Sequence, residues 1–203
     1  MNLIKRGFTL VELLIVIGLL GAISLIVISA INPIEQANRA RDTRFKADGG
    51  QLISAIDRYF AAKGEFPWVT LDTDLDNEDS FGFSSAGTEG VGICGPDCTS
   101  TTVFGTLINV DELKPEFKNR DFIKKHLAGA VSDKLWIGKS TGSTQSVYAC
   151  FIPMAKSTRQ KSCADGKVVT IDNTTGVRTE IDAATCAAAD DYTTSGYYVC
   201  IPE

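Results

Sequence analysis

From Phe8 to Ile31 the chain is one apolar run interrupted by a single ionisable side chain, Glu12. As a helix this run would span roughly 36 Å, enough to cross a bilayer with some tilt. Lys5 and Arg6 lie just before it, so the positive-inside rule keeps the N-terminus in the cytoplasm and exports everything after Ile31. A secretory signal peptide would have the same basic flank and apolar core. Ile28, however, is too large for the small-residue pattern that cleavage after Ala30 would require, and the run is longer than the usual signal core. A plain anchor accounts for the length and the flank but not for Glu12, because a carboxylate at the bilayer centre costs up to ~2.5–3.5 kcal/mol.

Beyond the run the periodicity changes. Pro33 interrupts or bends the helix, since proline lacks the backbone donor and clashes one turn back. Residues 34–63 then place Phe45, Gly49, Leu52, Ile53, Ile56, Tyr59 and Phe60 at three- and four-residue steps, which predicts an amphipathic helix with that stripe against a sheet. Arg39, Arg41, Asp42, Arg44, Lys46, Asp57 and Arg58 are expected to face mostly water or adjacent subunits. Gly49-Gly50 weakens the helix and marks a bend, and Gly64 supplies the stop. From Val69 to about Gly105 the chain is acidic, then rich in Gly, Ser and Thr, and reads as a long surface loop. Residues 113–127 read as a short helix with Pro115 in its first turn. Alternation predicts strands at Lys134–Ile137, Val147–Ile152, Lys167–Ile171, Val177–Ile181 and Tyr197–Ile201, with "DNTTG" turning the third into the fourth. A long helix followed by a strand-rich remainder makes the fold class α+β.

Composition adds compartment. The 203 residues are near the globular average and carry a net charge of −5, which gives no general reason to expect nucleic acid as a partner. The six cysteines, Cys94, Cys98, Cys150, Cys163, Cys186 and Cys200, all follow the apolar run. Their even number in an exported segment points to disulfides, and their spacing does not match a zinc site. The pairing taken here is 94–98, 150–163 and 186–200; Cys150–Cys200 across adjacent strands, with Cys163–Cys186, is the competitor.

Candidate chemistry is sparse. Asp72, Asp74 and Asp76 alternate as an EF-hand begins, but Asn77 stands where the loop glycine belongs and Phe83 where the closing glutamate belongs. A simpler Ca²⁺ site is a weak candidate there, beside the plainer expectation of a solvated acidic loop. Lys114, Lys118, Arg120, Lys124, Lys125 and His126 form the one basic cluster, diluted by Glu116 and Asp121, and a mixed-charge contact or solvated face is expected before any DNA contact. His126 is the only histidine. With no phosphate loop, metal cluster or nucleophile–base pair, no enzyme activity and no cofactor are expected.

The stretch Lys5-Arg6-Gly7-Phe8-Thr9-Leu10-Val11-Glu12 resembles the processing site of type IV pilins and type II secretion pseudopilins. "KGEFPW", at residues 63–68, resembles the passage that ends the long helix in that family, with Phe66 in place of tyrosine. The resemblance implies a pilin-like fold, a helix half in the membrane and packed lower down on an antiparallel sheet. It implies a leader at 1–7, a transmembrane and assembly helix at 8–32, its amphipathic continuation at 33–64 and an exported, disulfide-containing head at 65–203. A prepilin peptidase would cut between Gly7 and Phe8 and N-methylate Phe8. Glu12 would then meet the Phe8 amine of a neighbouring subunit, which removes much of the cost of a carboxylate in lipid. Gly18, Gly21 and Ala22 would let the apolar helices approach closely. The partners implied are further copies of the chain in a helical filament, the peptidase, an assembly platform and the inner membrane. The product would be an extracellular type IV pilus or, as the alternative, a periplasmic secretion pseudopilus. A membrane-tethered extracellular binding domain that never polymerises is the reading from another class.

Overall fold

The computed structural model describes residues 8–30, 32–69, 75–96, 98–100, 102–142, 144–189 and 191–202. The chain divides into two compact units, one ending at Ala37 and one running from Asn38 to Glu203.

The first helix, α1, is Leu10–Ala30. The second, α2, is Pro33–Lys63. Asn32 starts α2, its Oδ1 accepting the Glu35 amide at 3.1 Å. Pro33 takes the first helical position, where its missing N–H is no loss. It therefore opens a helix rather than bending one. Gly64, at φ +77°, ends α2, and its amide donates to the Phe60 carbonyl at 2.7 Å.

In the second unit α2 lies on a six-stranded, wholly antiparallel sheet. Its strands are β1 (Gly82–Ser85), β2 (Trp136–Lys139), β3 (Tyr148–Phe151), β4 (Val168–Ile171), β5 (Arg178–Glu180) and β6 (Tyr198–Ile201), in the spatial order β1-β2-β3-β6-β4-β5. The last strand thus sits in the middle of the sheet. Phe45, Gly49, Leu52, Ile53, Ile56 and Tyr59 are buried, as their spacing predicts, and Phe60 is partly so. The helix runs unbroken through Gly49-Gly50. Gly49 serves close approach instead of a bend: a Cβ there would lie 3.0 Å from Ile201 Cδ1 and 3.2 Å from the Ala149 Cβ. A smaller cluster of Phe83, Tyr148, Cys150, Val169 and Cys200 packs apart from this main core.

Four further expectations need correction. Asp42 does not face water. It is 2 % exposed, and its carboxylate accepts the amides of Met154 (3.1 Å) and Ala155 (3.0 Å) while pairing with Arg41 at 3.1 Å. Charge-assisted bonds to otherwise orphaned amides offset its desolvation. The 69–105 segment is not all surface loop: it holds β1, and Val91, Ile93 and Cys94 are fully buried. Residues 113–127 are not one helix. A 3₁₀ turn at Pro115–Asn119 and a short helix at Asp121–Lys124 flank extended Arg120, and this break lets Phe117, Phe122 and Ile123 all reach the core.

The fourth correction is the disulfide pairing. The bonds are Cys94–Cys98, Cys150–Cys200 and Cys163–Cys186. Cys150 and Cys200 face each other in the β3–β6 register, with Cα atoms 4.0 Å apart. Cys163, in the helix Lys156–Ala164, meets Cys186, in the helix Ala183–Ala188. Strand register, not nearness in sequence, decides the partner of Cys150. The "DNTTG" turn does join β4 to β5: Asp172 Oδ1 accepts the amides of Thr174 (2.8 Å) and Thr175 (2.9 Å), and Gly176 adopts φ +65°.

Candidate assembly site

The helix α1 begins on a reciprocal cap. The Thr9 amide and hydroxyl both donate to Glu12 Oε2, at 3.0 and 2.9 Å, and the Glu12 amide donates to the Thr9 hydroxyl at 3.2 Å. Thr9-x-x-Glu12 is a capping box, which satisfies backbone donors that a helix start otherwise leaves open. Glu12 is thus drawn back toward the helix start, on the side of Phe8, which is 77 % exposed. A negative side chain here is also favoured by the helix dipole. Gly7 lies outside the described residues.

Every large apolar side chain of α1 from Leu10 to Ile28 is exposed. Leu10–Ile28 is long and apolar enough to cross a membrane. Gly18 and Gly21 have nothing within 4 Å of where a Cβ would stand. Such a surface is not stable facing water, and lipid or a bundle of like helices are the environments that suit it.

The other candidate residues are arranged differently. Asp72 and Asp74 lie outside the described residues. Asp76 directs Oδ1 to the Glu78 amide at 2.8 Å, and its own amide donates to Asp79 Oδ2 at 3.0 Å. No group of three or more His, Cys, Asp or Glu among the described residues could hold a metal ion. The cation that meets this loop is Lys139. It is 0 % exposed, and its Nζ donates to the carbonyls of Asn77, Asp79 and Gly142 at 3.0 Å each and of Ser140 at 3.2 Å. Burial draws the Lys139 pKa down, and the carboxylates of Glu78, Asp79 and Asp76 work against that shift.

The basic cluster is partly engaged within the chain. Lys118 Nζ donates to the carbonyls of Ser100 and Val103. Arg120 pairs with Asp48 at 3.5 Å and Lys125 with Asp133 at 3.4 Å. Burial raises the Asp48 pKa, with Arg120 and Arg44 opposing. Burial and Lys134 lower that of His126.

An exposed apolar helix with a capped acidic start, followed by a helix on an antiparallel sheet, defines a pilin-like architecture. The chain carries a prepilin-type N-terminus: residues 4–28 match the model of the prokaryotic N-terminal methylation motif. It is also 23 % identical over 192 residues to a fimbrial protein of Neisseria meningitidis, an alignment covering 93 % of this chain and 98 % of that protein. No solved structure gives a significant match.

Proposed function

We propose that the chain is a structural subunit of a type IV pilus. The observation that carries this reading is the methylation motif at 4–28 running into a helix exposed on all sides. The near full-length alignment to a fimbrial protein supports a filament subunit. The subunit is inserted in the inner membrane with residues 1–7 on the cytoplasmic side. A prepilin peptidase cleaves between Gly7 and Phe8 and methylates the Phe8 amine. Residues 8–32 span the membrane, 33–64 continue toward the head, and 65–203 form the exported part that carries all six cysteines.

During assembly the Phe8 amine of one subunit meets Glu12 of another. The capping box engages Oε2 of Glu12, which leaves Oε1 to accept from that amine. The apolar helices then leave lipid for one another, and the small residues Gly18, Gly21 and Ala22 allow close packing.

The test is the intact N-terminal mass of the exported protein, together with imaging of cells labelled against residues 70–203. A mass that begins at methylated Phe8, with labelled surface fibres, is expected. An uncleaved Met1 would indicate a tethered binding domain and overturn the proposal. Correct cleavage without fibres, with a secretion defect on deletion, would indicate the pseudopilus.

A further inference from the structure

Lys139 is the one lysine among the described residues that is buried. An ammonium has three hydrogens to donate. Here it faces four backbone carbonyl oxygens, of Asn77, Asp79, Ser140 and Gly142, all within 3.2 Å. The Phe66 ring lies 5.3 Å from the same nitrogen. Acceptors therefore outnumber donors, and an aromatic face closes the shell. Asp76, Glu78 and Asp79 add negative charge around it. Convergent carbonyls in an acidic field are the ligand chemistry of a hard cation such as Ca²⁺.

The carbonyls come from two separate segments, 77–79 and 140–142, and two further bonds tie these together. The Gly142 amide donates to the Glu78 carbonyl at 2.6 Å, and the Phe81 amide to the Lys139 carbonyl at 3.2 Å. Asn77 in turn clasps the end of α2, accepting the Phe66 amide at 3.2 Å and donating to the Gly64 carbonyl at 2.8 Å. The ammonium thus sits where the acidic loop, the end of β2 and the exit of α2 meet.

We propose that this carbonyl cage is a cation site whose native occupant is the tethered ammonium of Lys139. The covalent tether makes the loop independent of inorganic calcium, and the cage accepts Ca²⁺ once the ammonium is removed. Ca²⁺ takes six to eight oxygens at about 2.3–2.6 Å in flexible geometry, so the cage must contract by roughly half an ångström and add water or a nearby carboxylate. Mg²⁺ demands near-ideal octahedral geometry at about 2.0–2.1 Å and is excluded. None of this depends on whether the chain polymerises.

The test is thermal unfolding of the full chain in detergent, as wild type, Lys139→Ala and Lys139→Met, each with chelator, millimolar calcium or millimolar magnesium at matched ionic strength. Wild type should unfold at the same temperature in all three. Lys139→Ala should unfold about 5–10 °C lower in chelator and regain at least half of that in calcium but not in magnesium. Lys139→Met fills the space without charge and should stay lowered in every salt. A chelator-sensitive wild type would overturn the proposal, because an inorganic ion would then be the occupant. A Lys139→Ala as stable as wild type would overturn it, and so would one lowered equally in all salts. Should Lys139→Ala not fold in chelator, its recovery on refolding in calcium becomes the readout, and failure in both salts rejects the cage. Lys139→Met at wild-type stability also rejects it.

Discussion

Single residues carry long-range order in this chain through charge placed beside the backbone. Asp42 and Lys139 both act this way, one accepting two amides and the other set among four carbonyls. At Asp48, burial raises the carboxyl pKa against the opposing charges of Arg120 and Arg44. A folded-state carboxylate pKa above the unfolded value means that the folded chain binds more protons across that window, so its ionised form opposes folding at higher pH. Asp48→Asn is therefore expected to stabilise the chain at neutral pH. The ion pair it loses is to Arg120, which is half exposed, so little stability goes with it. The gain should shrink as pH falls through the raised Asp48 pKa and vanish below the ordinary aspartate value of about 3.9. Thermal unfolding of both proteins between acid and neutral pH checks the sign. Little of this was legible in the sequence. The partners of Asp42 lie 112 and 113 residues away, and no periodicity reports such a pairing. Thr9 was legible and overlooked: Thr-x-x-Glu before an apolar run is a helix-start signal, here overshadowed by the processing motif on the same residues.

The elements themselves were largely legible, because periodicity follows burial. The α2 stripe and five of the six strands lie where alternation places them, within a residue or two. The exception, β1, reads "GFSS", with one large apolar residue and no alternation to detect. It is a strand because β2 offers an edge to pair with and because Phe83 stacks on Trp136 at 5.3 Å. The two adjacent glycines of α2 separate propensity from packing. Gly50 has open space where a Cβ would stand, so Gly50→Ala should stabilise by about 0.5–1 kcal/mol. Gly49 lies against Ile201 and Ala149, so Gly49→Leu should destabilise by about 1–3 kcal/mol through overpacking. Chemical denaturation of the two variants measures both, and equal effects would contradict the helix-on-sheet contact.

At the scale of the whole molecule, the disulfides and the apolar helix do different work. Cys150–Cys200 joins residues 50 apart at the centre of the sheet, whereas Cys94–Cys98 joins residues 4 apart. Cross-links stabilise mainly by restricting the unfolded chain, more so for longer loops. Removing Cys150 and Cys200 together should cost about 2–5 kcal/mol, and removing Cys94 and Cys98 clearly less, as judged by unfolding midpoints. Disulfide mapping after proteolysis would show directly whether Cys150 pairs with Cys200. The pairing could not be read from spacing, since it depends on β6 returning to lie beside β3.

The apolar helix is proposed to find its counterpart outside the single chain. The proposal is that a second subunit's Phe8 amine answers Glu12, and the capping box offers a competing use for the same carboxylate. Thr9→Val removes the hydroxyl half of the cap and keeps Glu12, so it serves as the control. The decisive measurement is the fraction of Glu12→Ala subunit built into surface filaments, relative to wild type and Thr9→Val at equal membrane levels. A charge-assisted bond of about 1.5–3 kcal/mol corresponds to a loss of incorporation of roughly 10- to 100-fold for Glu12→Ala, with Thr9→Val near wild type. Wild-type incorporation of Glu12→Ala, or an equal loss in Thr9→Val, would contradict assembly through the Phe8 amine and Glu12.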